Sequence, residues 1–406
     1  DETDARLRAI VEQYLQEKDA KKKAEEDLKK KAGAEVGSDL SMSATWNNGL
    51  ELSTKNKDFR VHVGGRTQMD VGWFRVDPNV NSNINTPYGD GIDFRRARLR
   101  IDGTMYETID WAAEYDFVNS VRVRNQPVSA TSPGFFDQAV TAPTDLWWTF
   151  KELPVVGNLR IGNQKEAIGF EHLVSSRFQP FMERSYNQDT FYGGVFNGFV
   201  PGAQIFDTYG EDEIGTWNLG IFKPTNSVFA FNTGDGDYSM VGRVTRLLWY
   251  ENEGEGLLHV GMSGKQATGV SQAGVNGRLL PFRTRDAIRT GLSVDWPQPA
   301  AITLYGDDLQ QVNMEMAAIY GPWTFQAEYL LSSYQDARTT FASPTNGNAV
   351  YHGGYIQLLR FLTNDHDHYS KKTGAFERVK PNENFFFVRD SSGNICRARG
   401  AWQIGA

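Results

Sequence analysis

The sequence predicts an all-β fold, a transmembrane antiparallel up-and-down β-barrel preceded by an α-helix. Three observations lead there. From about Asn48 onward, long runs of alternating polarity are separated by clusters of Gly, Asn, Asp and Pro. Short connections alternate with long ones, as they do where one rim of a barrel carries turns and the other carries loops. No stretch approaches the ~18 consecutive apolar residues of a membrane helix, yet many predicted strands are long enough to cross a bilayer.

The first segment, residues 1–36, has a different texture. It carries Lys, Arg, Asp and Glu in near balance, with no Pro, which is helix-forming composition. A heptad count from Leu7 passes through Val11 and Tyr14 but then reaches Lys18, Lys21 and Glu25. Either its first two turns form a coiled coil, or the segment is a solvated charged helix or a flexible arm. Residues 37–47 read as a linker, and 48–406 as the barrel.

In the barrel the strands declare two faces. Val61, Val63, Met69, Val71 and Trp73 alternate with Arg60, His62, Arg66, Gln68 and Asp70. Ala97, Leu99 and Ile101 alternate with Arg96, Arg98 and Arg100. Trp111, Ala113, Tyr115 and Phe117 alternate with Asp110, Glu114 and Asp116, and Trp323 to Leu331 repeats the pattern. An apolar face backed by a densely charged one suits lipid outside and water inside. Only a closed ring satisfies every backbone group in hydrocarbon. Trp and Tyr near strand ends, such as Trp148, Trp249, Tyr320 and Trp323, fit interfacial girdles. The soluble alternative is a β-sandwich with these rings in its core.

Composition narrows the function. The 406 residues carry 42 basic and 50 acidic side chains, a net charge of -8, which excludes a general nucleic-acid binder. Cys396 is the single cysteine, so no internal disulfide framework exists. The chain starts without a signal peptide's basic and apolar regions, and is read as a mature protein.

No motif for covalent, phosphate-loop or zinc catalysis occurs, so no enzyme activity, catalytic residue, cofactor or metal is expected. His366 and His368, in an acidic stretch, read as a solvated turn rather than a metal site. Arginine is the stronger signal. Arg96, Arg98 and Arg100 share one face of a strand, with Arg60 and Arg66 on the strand before. Guanidinium forks match phosphate oxygens and remain charged, and rings of such cations line anion pores. Neutralisation by Asp70, Asp102, Glu114 and Asp116 is the competing reading, and both can hold together.

Two further clusters stand out. The long connection from Lys165 to Tyr192 is too apolar for a solvated loop, and folding inward to narrow the pore would bury it. Arg278, Arg283 and Arg285 surround a turn stiffened by Pro281.

At these places the chain resembles the phosphate-selective porin O and P family of bacterial outer membranes. The matching segments are Phe94-Arg95-Arg96-Ala97 with Asp110-Trp111 and Tyr115-Asp116, Ser175-Ser176-Arg177 with Glu183-Arg184, Phe325 to Leu330, Val379-Lys380-Pro381, and Gly400-Ala401-Trp402. They follow family order through nearly all of residues 58–406. The resemblance implies a 16-stranded, trimeric barrel whose third loop folds into the lumen. It implies an anion-binding constriction of Arg95, Arg96, Asp145, Ser175, Ser176, Arg177 and Arg184, with Arg283 and Arg285 at the mouth. Arg98 joins the anion site on the arginine-face argument. Two positions depart from the family pattern: His172 stands where a lysine is usual, and Arg98 where an aromatic is ordinary. Both could broaden selectivity beyond phosphate.

The expected function is passive diffusion of anions, phosphate or related oxyanions, across the bacterial outer membrane. The expected partners are inorganic phosphate or other small anions, outer-membrane lipid, two further copies in a homotrimer, and the cell wall through a periplasmic N-terminal helix. No nucleic acid is expected. A general or carbohydrate porin and a secreted β-sandwich that binds polysaccharide are the alternatives. About 14 strands can be counted before Asp390, and a further one opens near Trp402, so the C-terminal strands of the barrel are expected to be missing.

Overall fold

The structure is a computed structural model and describes residues 36–79, 90–124, 137–192, 198–223, 238–268, 271–272, 275–276, 278–284, 300–339, 343–385, 387–389 and 392–406. The expected N-terminal helix lies outside them. Antiparallel strands succeed one another along the chain. They are β1 (Met42–Trp46), β2 (Leu50–Thr54), β3 (Arg60–Gly72), β4 (Gly91–Met105), β5 (Ile109–Arg124), β6 (Asp137–Leu153) and β7 (Gly157–Lys165). A single helical turn, α1 (Phe170–Leu173), precedes β8 (Phe199–Tyr209), β9 (Gly215–Phe222), β10 (Ser239–Glu251) and β11 (Gly256–Thr268). Two short ladders follow, β12 (Ser271–Gln272) with β13 (Val275–Asn276), and β14 (Arg278–Thr284) with β15 (Ala300–Gly306). Long strands then resume as β16 (Asp308–Tyr320), β17 (Trp323–Tyr334) and β18 (Ala349–Phe361). Beyond them come β19 (His368–Ser370), β20 (Ala375–Glu377), β21 (Val388–Arg389), β22 (Ile395–Cys396) and β23 (Gln403–Gly405).

The main sheet has 15 strands, in the order β1 to β11, β16, β17, β18, β23. Every neighbour in this order is also the next sheet strand in sequence, which is an up-and-down meander with no crossover. Its end strands, β1 and β23, are not paired with each other among the described residues. The described residues divide into two compact units, one formed by those up to Gly64 with Arg100–Ala112, the other by those of 65–99 and 113–406.

In the first unit, β1 lies within the stretch read as a linker. Met42 to Trp46 pair with Leu50 to Thr54 through a turn at Asn48 and Gly49, both at positive φ. An Asn-Gly pair between strand-forming runs is a strong hairpin signal, so the sheet begins at Met42. Here Asp102 receives Arg60 Nη2 at 3.1 Å, Arg100 Nε at 3.0 Å and His62 Nδ1 at 3.1 Å.

The second unit shows why the strands alternate as they do. On β16, Gln311, Asn313 and Glu315 are buried while Val312, Met314, Met316 and Tyr320 are exposed. On β17, Thr324, Gln326, Glu328 and Ser332 are buried while Tyr329 and Leu331 are exposed. A water-soluble protein does the reverse. Apolar side chains outward and polar ones inward are what lipid outside and a hydrated interior select. β10 repeats this with Arg243 and Thr245 inward and Met240, Val244 and Leu248 outward. A register shift between Leu247 and Trp249 there turns Leu248 and Trp249 outward together.

The connections sort by length in the second unit. Pro154–Val156, the 3₁₀ turns at Glu211–Glu213 and Asn252–Gly254, and Gly321-Pro322 are short. The connections after β7, β9, β11 and β17 are long. The segment between β18 and β23 is a long insertion at the short-turn end. There, Lys371 Nζ donates to the Asp212 carbonyl at 3.0 Å.

The stretch around Pro281 is a strand rather than the expected turn: Pro281 lies in β14 opposite Thr303. A proline fits because a two-stranded ladder leaves one N–H side of each strand unpaired.

Candidate functional site

Loop 3, between β7 and β8, is where the polar inner face acquires an apolar core. Ile168, Phe170 and Val174 are buried, and Phe170 and Val174 pack with Leu247 of β10, Leu257 of β11, and Ala317 and Ile319 of β16. The same cluster takes in Ala375 and Phe376 from the β19–β20 hairpin, with Phe170 and Phe376 edge to face at 4.9 Å. Burying one such ring contributes about 2 kcal/mol. Two inserts, one from each end of the strands, therefore meet on the inner face.

Each insert is held by charge. The Glu328 carboxylate on β17 accepts the N–H groups of Phe170 at 3.0 Å and Glu171 at 2.6 Å, with Tyr355 OH at 2.7 Å and Asn313 Nδ2 at 2.9 Å. At the other end of α1, Arg184 donates from Nε to the Glu171 carbonyl at 3.0 Å and from Nη2 to the Val174 carbonyl at 2.6 Å. Lys165 Nζ donates to the His172 carbonyl. A carboxylate at the N-terminus and cations at the C-terminus complement the turn's exposed N–H and C=O groups. Glu171 in turn accepts Ser185 N at 3.0 Å and Ser185 Oγ at 2.6 Å, clasping the loop on itself. Burial raises the Glu171 pKa, opposed by those two Ser185 donors.

The hairpin is held by Arg243, whose guanidinium donates to the carbonyls of Thr373 at 3.2 Å and Gly374 at 2.7 Å while paired to Glu315 at 2.5 Å. His259 bridges the Glu315 carboxylate at 3.0 Å and Tyr369 OH at 2.7 Å. Gly374 is required: its φ is +61°, and an added Cβ would lie 2.9 Å from Thr216 Oγ1.

Beside loop 3 the cations gather. Arg66, Arg95, Arg96, Arg98, Lys165, Arg177 and Arg184 are close enough that each repels others of the group. Arg95 Nε donates to Glu183 Oε1 at 2.5 Å, and Arg96 Nη2 to Glu183 Oε2 at 3.1 Å. Arg96 Nη1 also donates to Gln68 Oε1 at 2.6 Å. Arg98 is paired with Asp116 at 2.7 Å and Glu114 at 3.0 Å. Arg66 differs: its Nε and Nη1 are buried and have no hydrogen-bond partner among the described residues.

The residues singled out by sequence are thus partly assembled. Arg95, Arg96 and Arg98 are buried on β4 and share one electrostatic neighbourhood with Arg184. Arg95 comes inward against the simple alternation, because exposure changes parity across the pair: Ile92 and Phe94 are exposed before it, Leu99 after it. Asp145 on β6 accepts Trp147 Nε1 at 3.1 Å. Ser175 Oγ accepts the Arg177 N–H at 3.4 Å, Ser176 is half-buried, and the exposed Arg177 lies over Phe178. Arg283 lies on β14, which packs beside the turn at Gln188–Tyr192, and Arg285 lies outside the described residues. His172 is buried with Nδ1 3.1 Å from Gln188 Oε1 and its ring against Tyr192. Burial, with Lys165 and Arg184 nearby, pushes its pKa well down, so it is neutral.

Glu183 and Glu328 lie in family-matching segments but were not singled out as site residues, and Arg243 and the β19–β20 hairpin were not marked by sequence. Glu183 sits inside the Glu183-Arg184 match, and an acidic residue beside an arginine was its only signal. His366 and His368 have rings 4.7 Å apart, and the intervening Asp367 is bound to Thr324 at 2.6 Å.

The family match agrees with this architecture. Residues 61–404 match the family described as phosphate-selective porin O and P. Porin O of Pseudomonas aeruginosa is 26% identical over 370 residues, covering 82% of this chain and 71% of the relative. Among solved structures, OmpF of Salmonella typhi in complex with daunomycin aligns over 81% of this chain and 88% of its own, at 11% identity and a TM-score of 0.35. The chain belongs to the phosphate-selective porin O and P family and is an outer-membrane porin, a channel protein rather than an enzyme.

Proposed function

We propose that this porin passes small anions, phosphate or related oxyanions, through a lumen narrowed by loop 3. The observation that carries the reading is Arg66. Its buried Nε and Nη1 lack protein partners among the described residues, within a group that includes Arg98, Arg177 and Arg184. An unmatched guanidinium costs a few kcal/mol when dry. An oxyanion supplies the missing acceptors in a matching planar geometry. Arg95, Arg96, Arg98, Asp145, Ser175, Ser176, Arg177 and Arg184 form the constriction in this reading, with Arg283 and Arg285 toward the mouth. A trimer, a periplasmic N-terminal helix and its contact with the cell wall belong to the same reading.

Planar-bilayer recordings test it. In a KCl gradient the reversal potential should show chloride preference, and added phosphate should reduce chloride current at low millimolar levels or below. Cation preference would sink the anion reading. Chloride preference without phosphate block would leave an anion pore that does not favour phosphate, and no preference would point to a general solute porin.

A further inference from the structure

We propose that Glu183 is a tethered occupant of the anion position between Arg95 and Arg96, so that a permeating anion binds there by exchanging with its carboxylate. The inference rests on the anion-pore reading and adds to it a residue that sets affinity and selectivity.

The geometry is that of a bound oxyanion. One carboxylate oxygen of Glu183 lies 2.5 Å from Arg95 Nε and the other 3.1 Å from Arg96 Nη2 and 3.3 Å from Arg95 Nη2. All three side chains are buried. Two guanidinium groups converging on one carboxylate is how phosphate is also held. Glu183 reaches them from loop 3, a long way in sequence from β4, on a segment pinned by its neighbours. Arg184 grips the Glu171 and Val174 carbonyls, and Ser185 grips the Glu171 carboxylate. The loop is therefore anchored independently of Glu183, and the carboxylate can swing aside without releasing it. Two flanking residues are exposed and apolar, Phe181 and Met182, so solvent reaches the segment.

The consequence is a channel with a built-in competitor. The carboxylate neutralises two arginines that would otherwise hold an incoming anion too tightly to release it. Conduction needs binding strong enough to admit an ion and weak enough to let it leave. An exchanging carboxylate lowers the net gain on binding without removing the cations that attract the anion.

The test compares wild type with Glu183→Gln in planar bilayers, after heat-modifiable gel mobility has shown that both fold. The half-blocking phosphate concentration for chloride current should fall about tenfold in the variant, a coupling of about 1.4 kcal/mol. The reversal potential in KCl should move further toward chloride. An unchanged or weaker block in the variant overturns the proposal. So does a rise in conductance with loss of anion preference, which is what a merely structural role in holding the loop would give. Wild type and variant both lacking phosphate block and preferring cations would overturn the anion reading itself and the proposal with it. Wild type blocked by phosphate with no change in Glu183→Gln overturns the proposal alone. Should the glutamine variant fail to fold, Glu183→Asp keeps the charge but is one methylene too short to span both arginines. An intermediate, about threefold, fall in half-blocking concentration is then expected, and none overturns the proposal.

Discussion

Glu328 on β17 takes the backbone N–H of Glu171 at 2.6 Å, so a strand carboxylate holds the inserted loop by its main chain. Side-chain identity at position 171 is irrelevant to that bond. Glu328→Ala should leave the Phe170 and Glu171 N–H groups unmatched and cost about 3 kcal/mol. Urea unfolding in detergent micelles measures this, and single-channel recordings should show a larger, noisier conductance as loop 3 loosens.

His172 supplies a pH dependence. Its folded-state pKa is depressed, chiefly by burial, so the folded chain binds fewer protons than the unfolded one below the usual value of 6.5. The stability it contributes is complete above that value and is lost as pH falls through the window beneath it. His172→Gln should flatten that acid limb of a stability-versus-pH curve. His172→Lys should cost several kcal/mol, because it buries an ammonium beside Lys165 and Arg184.

Arg243 joins β10 to the β19–β20 hairpin. Arg243→Met should strand the Glu315 carboxylate inside the sheet and cost about 3–5 kcal/mol, as removing one partner of a buried pair does. The hairpin loses its carbonyl anchors at the same time. Limited proteolysis from the short-turn end should then cleave near Lys371 and Lys372 in the variant and spare the wild type.

Val155 sits in the tight turn between β6 and β7 at a φ of +73°, fully exposed. A β-branched residue is strained there, at a cost of about 1–2 kcal/mol. Val155→Gly should recover about 1 kcal/mol in urea unfolding, with channel properties unchanged.

Much of the fold was legible because alternation is local. Gln311, Asn313 and Glu315 against Val312, Met314 and Met316 is a pattern that a strand of either environment would show, and the abundance of charge on one face is what pointed to a hydrated lumen. The apolar content of loop 3 likewise announced that it would be buried. What escaped depends on partners far along the chain. Arg95 entered the site only through the family resemblance, because strict alternation with Arg96 places it outside and its partner Glu183 lies far along the chain. Arg243 looks like one more lumen cation until Gly374 and Glu315 close around it. The hairpin from His368 to Glu377 is short and largely polar, and Tyr369, Ala375 and Phe376 are its few hints of a core. β1 was available in the Asn48-Gly49 pair, but its strand is brief and rich in Ser and Thr, which suits a linker equally well.

Phe170 and Phe376 meet edge to face although some two hundred residues separate them. Closing so long a stretch of chain is slow. The strands between them pair each with its sequence neighbour and so can zip in order, but the aromatic contact must wait for the segment beyond β18. On the proposed reading of loop 3, the narrowing of the pore is accordingly a late step of biogenesis. Nascent channels should pass through a wide, leaky stage, and any delay in placing the last insert prolongs it.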